Sequence, residues 1–171
     1  MKNKLYIIGN GFDLHHNLKT SYYNFRDYLK NHNREIYDLL EQYLCCSDDL
    51  WGDFEESLAK LDTDELYYDK SNLLPNIESD DFREHDWYVF PDEMERIYDK
   101  LTTELVETFK DFISEAMSVD DLEILKHKID VDINARFLCF NYTDTLERIY
   151  HIQRKNINYI HNSIKDSSEY I

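Results

Sequence analysis

Two of the chain's three glycines, Gly9 and Gly11, bracket Asn10 and are followed at once by Phe12 and Asp13. Glycine lets backbone N–H groups come close to a phosphate or ribose, and the side chains of Asn10 and Asp13 can bond sugar hydroxyls. The third glycine of a dinucleotide fingerprint and the Lys-Ser/Thr pair of a P-loop are missing here, so neither motif applies. Taken alone, the stretch also reads as a plain strand-to-helix turn. A second polar cluster, Asn141-Tyr142-Thr143-Asp144, follows the apolar run Arg136 to Phe140. Thr143 or Asp144 can cap the next helix, but capping leaves Asn141 unexplained at a strand tip. A third candidate, His161, closes another apolar run, Ile157 to Ile160, where a histidine serves either as a hydrogen-bonding residue of the scaffold or as an acid–base group. His15 and His16 are adjacent, so their side chains diverge, and no further ligand stands at metal spacing; no metal site is expected.

Three strands must present these residues. Leu5 to Ile8 is a short, nearly continuous apolar run, the pattern of a strand buried on both faces of a parallel sheet. The runs at 136–140 and 157–160 repeat that pattern. Ligands in open parallel sheets bind beyond the carboxyl ends of the strands, which is where the three polar clusters fall.

Between the first two strands the periodicity is helical. Thr20 or Ser21 can cap a helix bearing Tyr22, Phe25, Tyr28 and Leu29 that stops near Asn31. A second helix starts at about Arg34, and a third follows Ser47-Asp-Asp49 with Leu50, Trp51, Phe54, Leu58 and Leu61 in a stripe. Residues 62–90 lose the period and gain acids, which predicts a mostly irregular segment with room for short helical turns, either a lid or a surface excursion. Pro91 is placed at the start of a long helix running to about Ser118, and a short helix is expected over 121–129. The predicted fold class is α/β: a small, parallel, Rossmann-like sheet of three main strands in one domain of 171 residues, with a large helical insertion at about 20–130.

The formal charge of −17 repels phosphate backbones, so broad nucleic-acid binding is not expected. No apolar run approaches the ~20 residues of a membrane-spanning helix, and the N-terminus lacks a signal core. Three cysteines, Cys45, Cys46 and Cys139, form neither a disulfide framework nor a zinc spacing, which points to a reducing cytoplasm.

Taken together, Ile7 to Leu14, Thr20 to Tyr23 with Phe25, Trp51 to Leu61, Phe137 to Leu146 and Tyr159 to His161 resemble the AbiH family of phage abortive-infection proteins. The glycine turn, the Asn after one strand and the His after another are more distantly similar to sirtuin-like NAD-consuming domains. That resemblance implies NAD or another nucleotide as ligand, with Gly9, Asn10, Gly11, Phe12, Asp13, Tyr142, Thr143 and Asp144 around it. It further implies that Asn141 orients the nicotinamide ribose and that His161 is the general base in hydrolysis of the N-glycosidic bond. The alternative is a non-enzymatic sensing or interaction module of a defence system, in which Asn141 and His161 are structural. Asn162 replaces a glycine usual in the family, and the sequence stops eight residues after Ser163, where relatives generally continue. The third strand would then need a helix, a second copy of the chain or a partner protein along its edge.

Overall fold

The computed structural model describes residues 4–44 and 50–161. Cys45, Cys46, Ser47 to Asp49, Asn162 and Ser163 lie outside the described residues. The elements run β1 (Leu5–Ile8), α1 (Asn10–His15), α2 (Tyr22–His32), α3 (Arg34–Tyr43), α4 (Phe54–Leu58), α5 (Thr63–Lys70), α6 (Asp86–Asp99), α7 (Leu105–Ala116), α8 (Asp121–Leu125), β2 (Arg136–Cys139), α9 (Thr145–Arg148) and β3 (Ile157–Tyr159). The chain divides into two compact units: residues up to Phe25 with those from Phe109 onward, and Arg26–Thr108.

The first unit holds a three-stranded parallel sheet in the order β1-β2-β3. Ile8 pairs with Cys139, and Cys139 with Tyr159. Its strands alternate. Tyr6, Ile8, Phe137, Cys139 and Ile157 face a core completed by Leu18, Ile124, Leu146, Ile149 and Ile152. Tyr6 stacks on Phe137 with ring centroids 5.2 Å apart. The expectation that β1 is buried on both faces is corrected: Leu5 is 62% and Ile7 69% exposed. An apolar strand sequence reports that one face finds a core, while the second face is covered only if another layer lies over it.

Ser21 is the residue that caps α2, accepting from the backbone N–H of Asn24, while Thr20 turns back to Asn10. At the other end of α1 the chain reverses through Asn17, whose φ of 61° is a left-handed value that Asn tolerates well.

In the second unit, Leu39, Tyr43, Leu66 and Ile97 form a buried core with Leu61, Met94 and Leu101 against it. Buried Trp51 stacks on Phe54 at 5.0 Å and donates its indole N–H to Glu41 over 2.7 Å. One sequence expectation becomes more definite here, and one changes. Residues 63–70 are helical, because Asp62 caps the N–H of Glu65 and Leu66 gives the helix a buried anchor. Pro91 lies inside α6, which begins at Asp86. At the sixth position Pro91 costs a hydrogen bond to the helix start but not the helix. A π-helical turn, Lys100–Glu104, continues α6 into α7, as the long apolar stripe predicts.

Candidate functional site

The carboxyl ends of the three strands lie on one rim. Phe140 donates its N–H to the carbonyl of Ile8 over 2.9 Å, and Ile160 donates to Cys139 over 2.9 Å, so each strand tip is tied to the next. With strands about 4.8 Å apart, the rim is roughly 10 Å wide. Beyond the last paired residues, Cys139 and Tyr159, the His161 ring meets Phe140 at 6.4 Å and Tyr142 at 5.2 Å.

Beyond β1 the backbone turns directly into α1. Gly9 is extended, with φ of −126° and ψ of −179°, and neither Gly9 nor Gly11 has positive φ. Neither glycine is needed for a left-handed turn. A Cβ at either position would meet nothing within 4 Å, so the backbone at Gly9 and Gly11 faces open space that a ligand can approach closely. Asn10 and Thr20 bond each other twice: Asn10 Nδ2 donates to the Thr20 carbonyl over 3.1 Å, and Thr20 Oγ1 donates to Asn10 Oδ1 over 2.6 Å. The Asn10 side chain thus closes the loop that follows α1.

Asp13 is 1% exposed and is the centre of the site. Its Oδ2 accepts from Asn141 Nδ2 over 2.9 Å and from Thr143 Oγ1 over 2.7 Å, and its Oδ1 accepts from Thr145 Oγ1 over 2.9 Å. Burial pushes the Asp13 carboxyl above its usual range, against the opposing pull of the Thr143, Thr145 and Asn141 donors and of nearby His16. The three donors stand at 141, 143 and 145, along the bend that leads from β2 into Thr145, the first residue of α9.

Because Asn141 commits its Nδ2 to Asp13, its amide orientation is fixed, and its Oδ1 points away from that bond. Asn141 is 5% exposed, and its Oδ1 has no hydrogen-bond partner among the described residues. A buried acceptor left alone costs about 1–3 kcal/mol, so a donor supplied by a ligand would recover that energy.

Phe12, His16 and Tyr150 pack together beside this cluster, with Phe12 ring centroids 4.6 Å from His16 and 5.4 Å from Tyr150. His16 Nδ1 lies 2.6 Å from the Phe12 carbonyl, which can only accept, so Nδ1 carries the hydrogen. In the neutral ring Nε2 accepts from the Tyr150 hydroxyl over 2.8 Å, and that oxygen accepts from the N–H of Ile129 over 3.0 Å. His16 is therefore a scaffold residue. Asp144 holds the N-cap position of α9, its carbonyl accepting from Glu147 and Arg148; Thr143 is turned to Asp13 instead.

His161 is half-buried and lies in an aromatic file. Its ring stacks on Tyr142 at 5.2 Å, Tyr142 meets Phe109 edge-on at 5.0 Å, and Phe109 meets buried Phe25 at 5.1 Å. Two groups of predicted residues therefore form: Asp13, Asn141 and Thr143 in one, Tyr142 and His161 in the other. Sequence reasoning missed Thr145 and Tyr150 and weighed His16 only as a metal ligand; no local pattern marked these roles, because the chain bends between β2 and α9. Among the described residues no cluster of three or more His, Cys, Asp or Glu could hold a metal ion.

The chain is thus a helix-rich α/β protein with a three-stranded parallel sheet, and polar residues gather beyond its strand tips. The family model for bacteriophage abortive infection AbiH matches residues 5–171, and the chain belongs to the AbiH family. No curated protein and no solved structure gives a significant match. No helix among the described residues is long and apolar enough to cross a membrane.

Proposed function

We propose that this abortive-infection family member binds a nucleotide such as NAD at the rim of the three strands. The unpartnered Oδ1 of Asn141 carries the reading: a buried acceptor, oriented by Asp13, at the tip of the central strand. It would accept from a ribose hydroxyl or a carboxamide N–H. The open backbone at Gly9 and Gly11 gives the phosphates a close approach, and the Tyr142 and His161 rings offer a flat surface beside the sugar.

The same arrangement suits hydrolysis of the N-glycosidic bond. The bond from C1′ to the nicotinamide nitrogen breaks, its electron pair leaving with the base and neutralising the pyridinium. Water adds its oxygen to C1′ from the other side while His161 takes the water proton. Asn141 holds the ribose in place for this attack, and Asp13 acts as a positioning residue through Asn141.

The test is incubation with NAD, following free nicotinamide, for the wild type and for Asn141→Ala and His161→Ala. Loss of turnover in both folded variants, with retained nucleotide-induced thermal stabilisation in His161→Ala, supports the enzyme. Wild-type protein that neither releases nicotinamide nor shifts its melting temperature with nucleotides removes the proposal and leaves the interaction module.

A further inference from the structure

The second unit carries a separate open cavity of about 280 Å³, between the single 3-10 turn Ser71–Leu73 after α5 and the start of α6. Its walls are of two kinds. Leu74, Phe82 and Val89 are apolar, while Asn76, Asp81 and Asp86 are polar or anionic. The Asp81 carboxylate has no ion pair among the described residues. Asp86 accepts from the backbone N–H of Arg83 over 2.8 Å and lies 3.1 Å from His85 Nε2.

The surroundings are rich in exposed aromatic surface. Trp87 is 51% exposed and meets Phe82 edge-on at 5.7 Å, and Tyr88 and Ile77 are more exposed still. Between residues 62 and 99 there are 13 Asp and Glu against 3 Lys and Arg. Exposed apolar area of this extent, rimmed by charge of one sign, marks an interaction surface.

We infer that the cavity receives a lysine or arginine side chain from an extended basic segment of a partner protein. Such a side chain has an apolar stem that matches Leu74, Phe82 and Val89, and a cationic head that matches Asp81 and Asp86. Trp87 and Tyr88 add cation–π and stacking partners for neighbouring residues of the same segment. The chain's charge of −17 steers a basic partner toward this face. A lone small cation would leave the aromatic rim unused, which favours a peptide. This surface is distinct from the strand-tip site and stands whether or not a nucleotide binds there.

The experiment uses the full chain with a fluorescein-labelled peptide of alternating arginine and leucine, and its glutamate–leucine counterpart, read by anisotropy. The arginine peptide is expected to bind and to shift the emission of exposed Trp87, a shift lost in Trp87→Phe while buried Trp51 still emits. The pair Asp81→Asn and Asp86→Asn should weaken binding about tenfold or more, whereas Asp111→Asn with Glu115→Gln, an equal charge change on α7, should change it about twofold at most. If Asp86→Asn impairs folding, Asp81→Asn alone should still weaken binding several-fold. Equal loss in the α7 pair, equal binding of the glutamate peptide, competition by free arginine amide as effective as by the unlabelled peptide, or no binding of the arginine peptide would each overturn the inference.

Discussion

Asn141 donates from Nδ2 to Oδ2 of Asp13 over 2.9 Å, joining residues 128 apart in the sequence and locking the tip of β2 onto α1. The consequence is directional. With Nδ2 engaged, the Asn141 oxygen has one orientation, and it is the oxygen without a partner.

Asp13→Asn replaces an acceptor-only carboxylate with an amide that presents donors to the donors around it. The Thr143 and Thr145 hydroxyls can rotate, but the Asn141 N–H cannot, so the variant should lose roughly 1–3 kcal/mol of stability. Urea unfolding measures this; an unchanged midpoint would mean that the carboxylate does not hold the loop.

The pH dependence of two carboxyls should have opposite signs. Asp13 is raised above its ordinary 3.8 by burial, so the folded state binds its proton more tightly than the unfolded state. Its contribution is greatest below 3.8 and declines as pH rises through the raised value, so the wild type should gain on Asp13→Asn toward acid. Glu35 is lowered from 4.5 by hydrogen bonds from Lys100 and then Arg96. Its contribution is present above 4.5 and is lost as pH falls through the lowered value, so the wild type should lose its advantage over Glu35→Gln toward acid. Parallel melting series for both variants distinguish the two signs; matching slopes would contradict the assignment.

Tyr150→Phe deletes the hydroxyl that donates to His16 Nε2 and accepts from the Ile129 N–H. A buried ring nitrogen and a part-buried backbone N–H lose a partner, and the expected cost is about 1–2 kcal/mol by chemical denaturation. A loss below about 0.5 kcal/mol would show that His16 does not depend on this bond.

The two faces of β1 should respond very differently. Ile8→Ala empties a position that is 7% exposed and should cost about 2–4 kcal/mol. Ile7→Thr alters the open face and should stay within about 0.5 kcal/mol. Equal costs would mean that another layer covers that face in solution.

Cys139 donates weakly to the Asn141 carbonyl from within the core, and burial pushes its thiol up to about 11. In a Cys45→Ser, Cys46→Ser background it should resist a thiol reagent at pH near 8 until denaturant is added. Rapid labelling of the folded protein would show that the β2 core opens.

Much of this could be read from residue order. Leu5 to Ile8, the run ending at Phe140 and the run ending at Ile160 gave three strands, because short apolar runs bounded by polar residues have few other folded uses. The long helix running to about Ser118 was equally plain, and the π turn at Lys100–Glu104 did not interrupt it. The start of α6 was misplaced because proline at a helix start is only a preference. The helix at Thr63–Lys70 was legible only as a short turn somewhere in an acidic segment, because one buried residue, Leu66, anchors it.

Sequence by itself determined which residue types stand at the strand tips, the family to which the chain belongs, and an acidity that disfavours phosphate polymers. Only the tertiary structure decided which partners they find. Asp13, expected to meet a ligand directly, is buried beneath the residue that could, and Thr145 joins it through a bond spanning 132 positions. Local spacing reveals which side chains share a face, but it carries no record of which distant donor a buried carboxylate will find. That choice is made when desolvation requires every polar group in the core to find a partner, and Asn141 Oδ1 is the buried side-chain atom still without one among the described residues.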